Sequence, residues 1–296
     1  MTPPASDADI PAYWRGLGLP GLIDTHVHFL PVRMQEKVWD YFDHGSANYG
    51  TDWPVVYRLP ESARVSLLES FGVLAFPSLP YPHKPGMAGW LNAEAATFAD
   101  RVPSVLKSAT FYPEPSALSY VTAALDDGVR IFKVHVQVGA FDPRDELLMP
   151  VWGLLASSGV PVVVHCGSGP LAGAHTGPGP FGDVLAAHPS LTAIIAHAGM
   201  PEYAAFLTLA MAYERVYLDT TMVATDFTNA LMPLPSDVAA RYADIGDKIL
   251  FGSDFPSIPH SYAHQISAVH GLDLGDDWMR AVLHDNAARL FGLPVE

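Results

Sequence analysis

Short runs of Val, Ile, Leu and Phe recur along the chain at Leu22–Phe29, Val73–Leu79, Val105–Tyr112, Arg130–Val136, Val160–His165, Thr192–His197, Val216–Asp219 and Lys248–Phe251. Each has the length of a strand. Between most of them lie segments with helical spacing, at Glu61–Phe71, Trp90–Arg101, Ser116–Asp127, Leu147–Ser158, Pro180–His188 and Glu202–Tyr213; these are expected to be helices. Strand and helix in alternation imply a parallel sheet. Two runs, Val160-Pro-Val-Val-Val and Ala193-Ile-Ile-Ala, are apolar throughout, as strands covered on both faces are.

Eight such units within roughly 250 residues predict an α/β fold of the (β/α)8 TIM-barrel type rather than an open doubly wound sheet. No GxGxxG follows the first run and no GxxxxGK[ST] occurs, which removes the usual signatures of a nucleotide-binding open sheet. A chain of 296 residues with 49% hydrophobic content can bury one barrel core or two smaller ones. The repeating order selects the first: an N-terminal extension at 1–20, then one barrel domain at 21–293. Three segments, Leu30–Pro60, Gly167–Pro180 and Met222–Asp237, read as long or Gly/Pro-rich loops. In a barrel they leave the C-terminal ends of strands one, five and seven, the face on which barrel active sites are built.

Sixteen basic against 31 acidic residues give a formal charge of −15. That sign excludes an unspecific nucleic-acid or anionic-membrane binder and points to a small-molecule partner. One cysteine, Cys166, allows no intramolecular disulfide and is compatible with a reducing compartment; it reads as a small buried hydrophobe rather than a reactive thiol. Residues 1–20 lack the basic start and apolar core of a signal peptide, and apolar runs elsewhere are cut by Pro, His or Ser. A cytoplasmic protein is expected.

The first run contains Ile23-Asp-Thr-His-Val-His-Phe29. Side chains two apart on a strand share a face, which groups Asp24, His26 and His28. His165 ends the fifth run before Cys166-Gly167, and His197 ends the sixth before Ala198-Gly199. The eighth leads into Gly252-Ser-Asp254-Phe-Pro. A single buried histidine is ordinarily a hydrogen-bonded core residue. Imidazoles and a carboxylate at the ends of strands one, five, six and eight instead suit a catalytic divalent-ion site, of which zinc is the natural occupant. Lys133 and His135 share a face of the fourth run: Lys133 reads as an inward charge paired with a carboxylate, and His135 as either a substrate contact or a hydrogen-bond partner behind the site. Asp219, ending the seventh run, either orients a ligand or caps a helix.

Together with the closing Asn286-Ala-Ala-Arg-Leu-Phe-Gly292, these motifs resemble the amidohydrolase superfamily. Within it they are most similar to the amidohydrolase-related branch of metal-dependent hydrolases and decarboxylases, which includes aminocarboxymuconate semialdehyde decarboxylase. The resemblance spans Gly21 to Leu293. It implies one divalent ion held by His26, His28, His165 and Asp254, with His197 positioning or deprotonating the attacking water; residue chemistry alone leaves His197 open as a fifth ligand. Two-metal members carry a carbamylated lysine on strand four, the position of Lys133, whereas the branch resembled here uses one metal. A homodimer follows by the same analogy.

Hydrolysis of a C–N or C–O bond in a small cyclic or carbonyl-containing compound is the expected reaction, with Asp254 as proton carrier and His197 at the oxyanion. The alternative is non-oxidative decarboxylation of a small unsaturated or aromatic acid. That reaction needs a cationic clamp, for which Arg33, Arg58 and Arg144 lie in suitable segments although each also reads as a surface residue. Several decarboxylases of the branch carry Glu-x-His where this chain has His26-x-His28, a slight tilt toward hydrolysis. A binding protein that has lost catalysis is the third reading, against which stands the complete set of ligands. Trp39, Trp53, Tyr57, Tyr81 and His175 could line a pocket for a flat or cyclic compound.

Overall fold

The computed structural model describes residues 1–295. Its strands are β1 (Leu22–Ile23), β2 (Val73–Pro77), β3 (Val105–Leu106), β4 (Ser108–Thr110), β5 (Ile131–His135), β6 (Val162–His165), β7 (Ala193–Ile195), β8 (Val216–Asp219) and β9 (Ile249–Leu250). Every expected strand position is occupied, and each of the six expected helices lies within two residues of its predicted bounds; Glu61–Phe71 is reproduced unchanged. The chain gathers into two compact units, one of Met1–Phe76 together with the residues from Asp219 onward, the other of Pro77–Leu218.

In the second unit β4 to β8 form parallel ladders in sequence order, with Lys133 opposite Val163, His135 opposite His165, and Val163 opposite Ile194. Val162, Val163, Val164, Ile194 and Ile195 are all fully buried, so both faces of the sheet are covered. Each such side chain contributes about 1.5–3 kcal/mol of burial free energy. The third expected run is split at Lys107. Ser108 Oγ donates to the Leu106 carbonyl at 2.7 Å and accepts from the Ser78 amide at 3.0 Å, and this side-chain pairing interrupts the ladder.

In the first unit β1 pairs with β2, Leu22 opposite Val73 and Ile23 opposite Ala75. The expected strand Leu22–Phe29 stops as a ladder at Ile23, because the carboxylate of Asp24 takes the amides of His26 and Ser253, each at 3.1 Å. Beyond it the chain stays extended, with Thr25 donating to Phe251, Val27 bridging Phe255, and His28 donating to Phe255. The segment Leu30–Pro60, expected as a loop, contains the helices Val32–Asp43 and Gly45–Tyr49; Met222–Asp237 likewise contains Asp226–Leu231, capped by Thr225, whose hydroxyl accepts from the Thr228 amide. Residues 1–20 pack into this unit: Ile10 is fully buried, Tyr13 is hydrogen-bonded to His270, and Asp7 accepts from Tyr57 and from the Ala263 amide. Among the described residues no helix is long and apolar enough to cross a membrane.

Candidate metal centre

His26 and His28 reach the end of their extended segment beside the turn that carries Asp254. Backbone bonds hold the two segments in register: the Asp254 amide donates to the His26 carbonyl at 2.9 Å and the His28 amide to the Phe255 carbonyl at 2.8 Å. Asp254 has φ +68°, a left-handed turn that redirects its side chain. As a result His28 Nε2 stands 3.1 Å and His26 Nε2 3.7 Å from the same oxygen, Oδ1 of Asp254, and one donor atom from each of the three residues falls within 4.8 Å of the others.

That donor set fits a divalent ion. Tetrahedral bonds of 2.0–2.2 Å separate neighbouring ligand atoms by about 3.4 Å, close to the spacings between the imidazoles and the carboxylate. Both imidazoles are buried, while Asp254 keeps 18% of its side chain exposed, which leaves one side of the cluster accessible. Asp219 fixes the orientation of His26: its Oδ2 lies 2.8 Å from His26 Nδ1, and its Oδ1 accepts from the Thr221 amide. With Nδ1 protonated toward this carboxylate, the Nε2 lone pair of His26 is turned to the cluster. Capping of the following helix falls to Thr225 rather than Asp219.

Asp24 faces elsewhere. Its carboxylate accepts from Ser253 Oγ at 2.6 Å and Tyr262 Oη at 2.8 Å, besides the two amides. Burial pushes its carboxyl up to about 7, against the lowering effect of those hydrogen bonds. Tyr262, at the start of helix Tyr262–His270, thus anchors the first strand from behind.

The second unit collects the other expected residues. His135 and His165, paired in register on β5 and β6, stack with ring centroids 3.8 Å apart and planes at 13°; His197 meets the His165 ring edge-on at 4.6 Å. His165 Nε2 lies 2.9 Å from the Gly169 carbonyl and therefore carries its proton. His135 Nδ1 accepts from the Val138 amide, and its ring touches Tyr81. Lys133 is fully buried. Cys166 is fully buried as well, and burial pushes its thiol far up.

His197 does not end a strand as the pattern suggested. β7 stops at Ile195, and His197 (φ +55°) and Ala198 (φ +50°) form a left-handed turn before Gly199 (φ +75°). The turn is fixed by packing: a Cβ on Gly199 would sit 2.0 Å from the Phe206 ring.

Of the arginines in rim-like segments, Arg33 lies exposed on helix Val32–Asp43, Arg58 is paired with Asp43, and Arg144 with Asp142 and Asp183. Sequence reading missed His260, six residues after Asp254. Its Nδ1 lies 3.0 Å from the Ser261 carbonyl, its Nε2 is buried without a hydrogen-bond partner, and burial pulls its pKa down to about 4. Such residues carry no motif; only the spacing of His260 from Asp254 offered a signal.

No curated protein matches the chain at a significant level. Solved structures do. An uncharacterised TIM-barrel protein of Bordetella bronchiseptica is 21% identical, with a TM-score of 0.73 over 92% of this chain and 98% of its own. A probable 2-pyrone-4,6-dicarboxylic acid hydrolase of Acinetobacter baumannii is 15% identical, with a TM-score of 0.63 over 92% of this chain and all of its own. A 5-carboxyvanillate decarboxylase of Sphingomonas paucimobilis is 16% identical, with a TM-score of 0.58 over 93% of this chain and all of its own. Likenesses at this identity carry the fold, and the fold is that of the TIM-barrel proteins. The amidohydrolase family model matches residues 23–293, a span that begins at the first strand and takes in His26, His28, His165, His197, Asp219 and Asp254. The chain belongs to the amidohydrolase family of enzymes.

Proposed function

We propose that the protein is a metal-dependent hydrolase that cleaves a C–N or C–O bond of a small cyclic or carbonyl-containing compound, using one divalent ion, zinc, held by His26, His28, His165 and Asp254. The observation that carries this reading is the approach of two imidazole Nε2 atoms to one oxygen of Asp254, with His26 oriented from behind by Asp219. His165 enters the set through the family resemblance.

When bound, the ion supplies Lewis acidity, lowering the pKa of water from ~15.7 toward ~7 and polarising the substrate carbonyl. Asp254, partly exposed, accepts the proton of the attacking water at a carboxylate oxygen and returns it to the leaving group. His197, held in its left-handed turn, donates a hydrogen bond to the developing oxyanion. Replacement of Asp254 by Asn removes the proton acceptor while keeping shape, and kcat falls by about 10²–10⁴-fold. The test is turnover of a panel of lactones, cyclic amides and esters, with and without a chelator. Chelator-insensitive turnover, or full activity in Asp254→Asn, rejects the assignment.

Non-oxidative decarboxylation is the second reading, supported by the likeness to 5-carboxyvanillate decarboxylase. Release of carbon dioxide from a panel of unsaturated and aromatic acids, without lactone or amide cleavage, selects it. A homodimer remains part of the proposal by family analogy, and a cytoplasmic location from the sequence pattern; light scattering at the mass of two chains checks the dimer.

A further inference from the structure

Arg64, on helix Glu61–Phe71, is 3% exposed, yet it forms no ion pair with a carboxylate among the described residues. Its guanidinium lies between two aromatic rings, 4.9 Å from the centroid of Phe29 and 5.5 Å from that of Trp39. Its one hydrogen bond is from Nη1 to Gln35 Oε1, at 3.0 Å. Burial pulls its pKa down to about 10, with Glu61 acting weakly in the other direction.

Three donors around this cation are buried without an acceptor: Nε of Arg64, Nε2 of Gln35 and the indole Nε1 of Trp39. Gln35 is 2% exposed. A buried donor left unpaired costs about 1–3 kcal/mol, and an uncompensated buried charge more. Three such donors beside one buried cation therefore call for an acceptor bearing negative charge. The carboxylate whose charge reaches Arg64 is Glu61, three residues earlier on the same helix, while Asp43 is taken by Arg58, which itself donates to the Trp39 carbonyl.

We propose that Arg64, Gln35 and Trp39 form an oxyanion-binding site that takes the carboxylate of a small organic acid. It adjoins the segment carrying His26 and His28, because Phe29, which follows His28 directly, forms one wall. Charge selects a carboxylate over a phosphate: one buried cation neutralises one negative charge, whereas a phosphate dianion would leave a second charge uncompensated in the same surroundings. The fork of a guanidinium matches two carboxylate oxygens, and the rings of Phe29 and Trp39 suit a flat apolar body.

The experiment is calorimetric titration of the full-length protein with acetate and benzoate, against acetamide and benzamide as neutral counterparts, and with inorganic phosphate. The carboxylates bind saturably, at least about tenfold tighter than the amides. Arg64→Met abolishes the difference. Trp39→Phe and Gln35→Met, which keep shape and remove one donor each, reduce it several-fold, and their unchanged melting profiles guard against misfolding in Arg64→Met. Binding persists after dialysis against a chelator, so failure of the proposed metal-dependent reaction would leave it intact. Carboxylates no tighter than amides, affinity retained in all three variants, loss of binding on chelation, or phosphate bound more tightly than carboxylate each overturns the proposal.

Discussion

Nδ1 of His26 and Oδ2 of Asp219 lie 2.8 Å apart, both groups buried. The pair locks the imidazole tautomer and sets the direction of Nε2, the atom facing Asp254. Asp219→Asn keeps the volume but loses the charge that favours Nδ1 protonation. Metal affinity is expected to fall about 10–100-fold, read by competition with a chromophoric chelator. Unchanged affinity would mean that His26 needs no such support.

Metal content by plasma mass spectrometry is expected at about one equivalent per chain, lost in a His26→Ala, His28→Ala double variant, since a mononuclear site needs both imidazoles. Two equivalents in the unaltered protein would instead make the buried Lys133 a bridging group.

Gly252 stands where its missing side chain matters. A Cβ there would lie 2.8 Å from His26 Cβ and 2.2 Å from Thr221 Oγ1. Gly252→Ala must move the strand that carries His26, so destabilisation by about 1–3 kcal/mol is expected, together with weakened metal binding. A denaturant melt and the chelator competition measure the two effects. Loss of stability without any change in metal affinity would show that His26 tolerates the shift.

His260 supplies a pH dependence. Burial lowers its folded-state pKa from 6.5 to about 4, so below pH 6.5 the unfolded chain takes up a proton that the folded chain refuses. Its contribution is present in full above pH 6.5 and is lost as pH falls through 4, by on the order of 3 kcal/mol. The faces around it are set by Ser261, His264, Asp254 and Asp226. In His260→Gln, unfolding free energies measured from pH 6.5 down to 4 fall less steeply than in the parent. An identical acid slope would place the titration on other groups.

Much of this molecule is written in its sequence. Apolar runs located every strand position and period-three-to-four spacing six of the helices between them, because a buried strand such as Val162–His165 must be apolar on both faces wherever it sits in the chain. The ligand types were legible for a similar reason: imidazole and carboxylate at strand ends are costly to bury without a task. The helices Val32–Asp43 and Gly45–Tyr49 were passed over as loop although the first is amphipathic; Phe42 of the one and Tyr49 of the other pack on Trp53.

The sequence by itself thus indicated the order of the strands, six of the helices, the family and the candidate ligands His26, His28, His165 and Asp254. Only the tertiary structure decided that Asp219 stands behind His26, that Asp24 turns to Ser253 and Tyr262, that His197 lies in a left-handed turn past β7, and that Arg64 is buried with its guanidinium hydrogen-bonded to Gln35. Two of these are long-range contacts: Asp219 is 193 residues from His26, and Tyr262 is 238 from Asp24. Hydrophobic periodicity is a local property. The partner of a buried polar group is set by which distant segments packing brings together, and no window of sequence contains both.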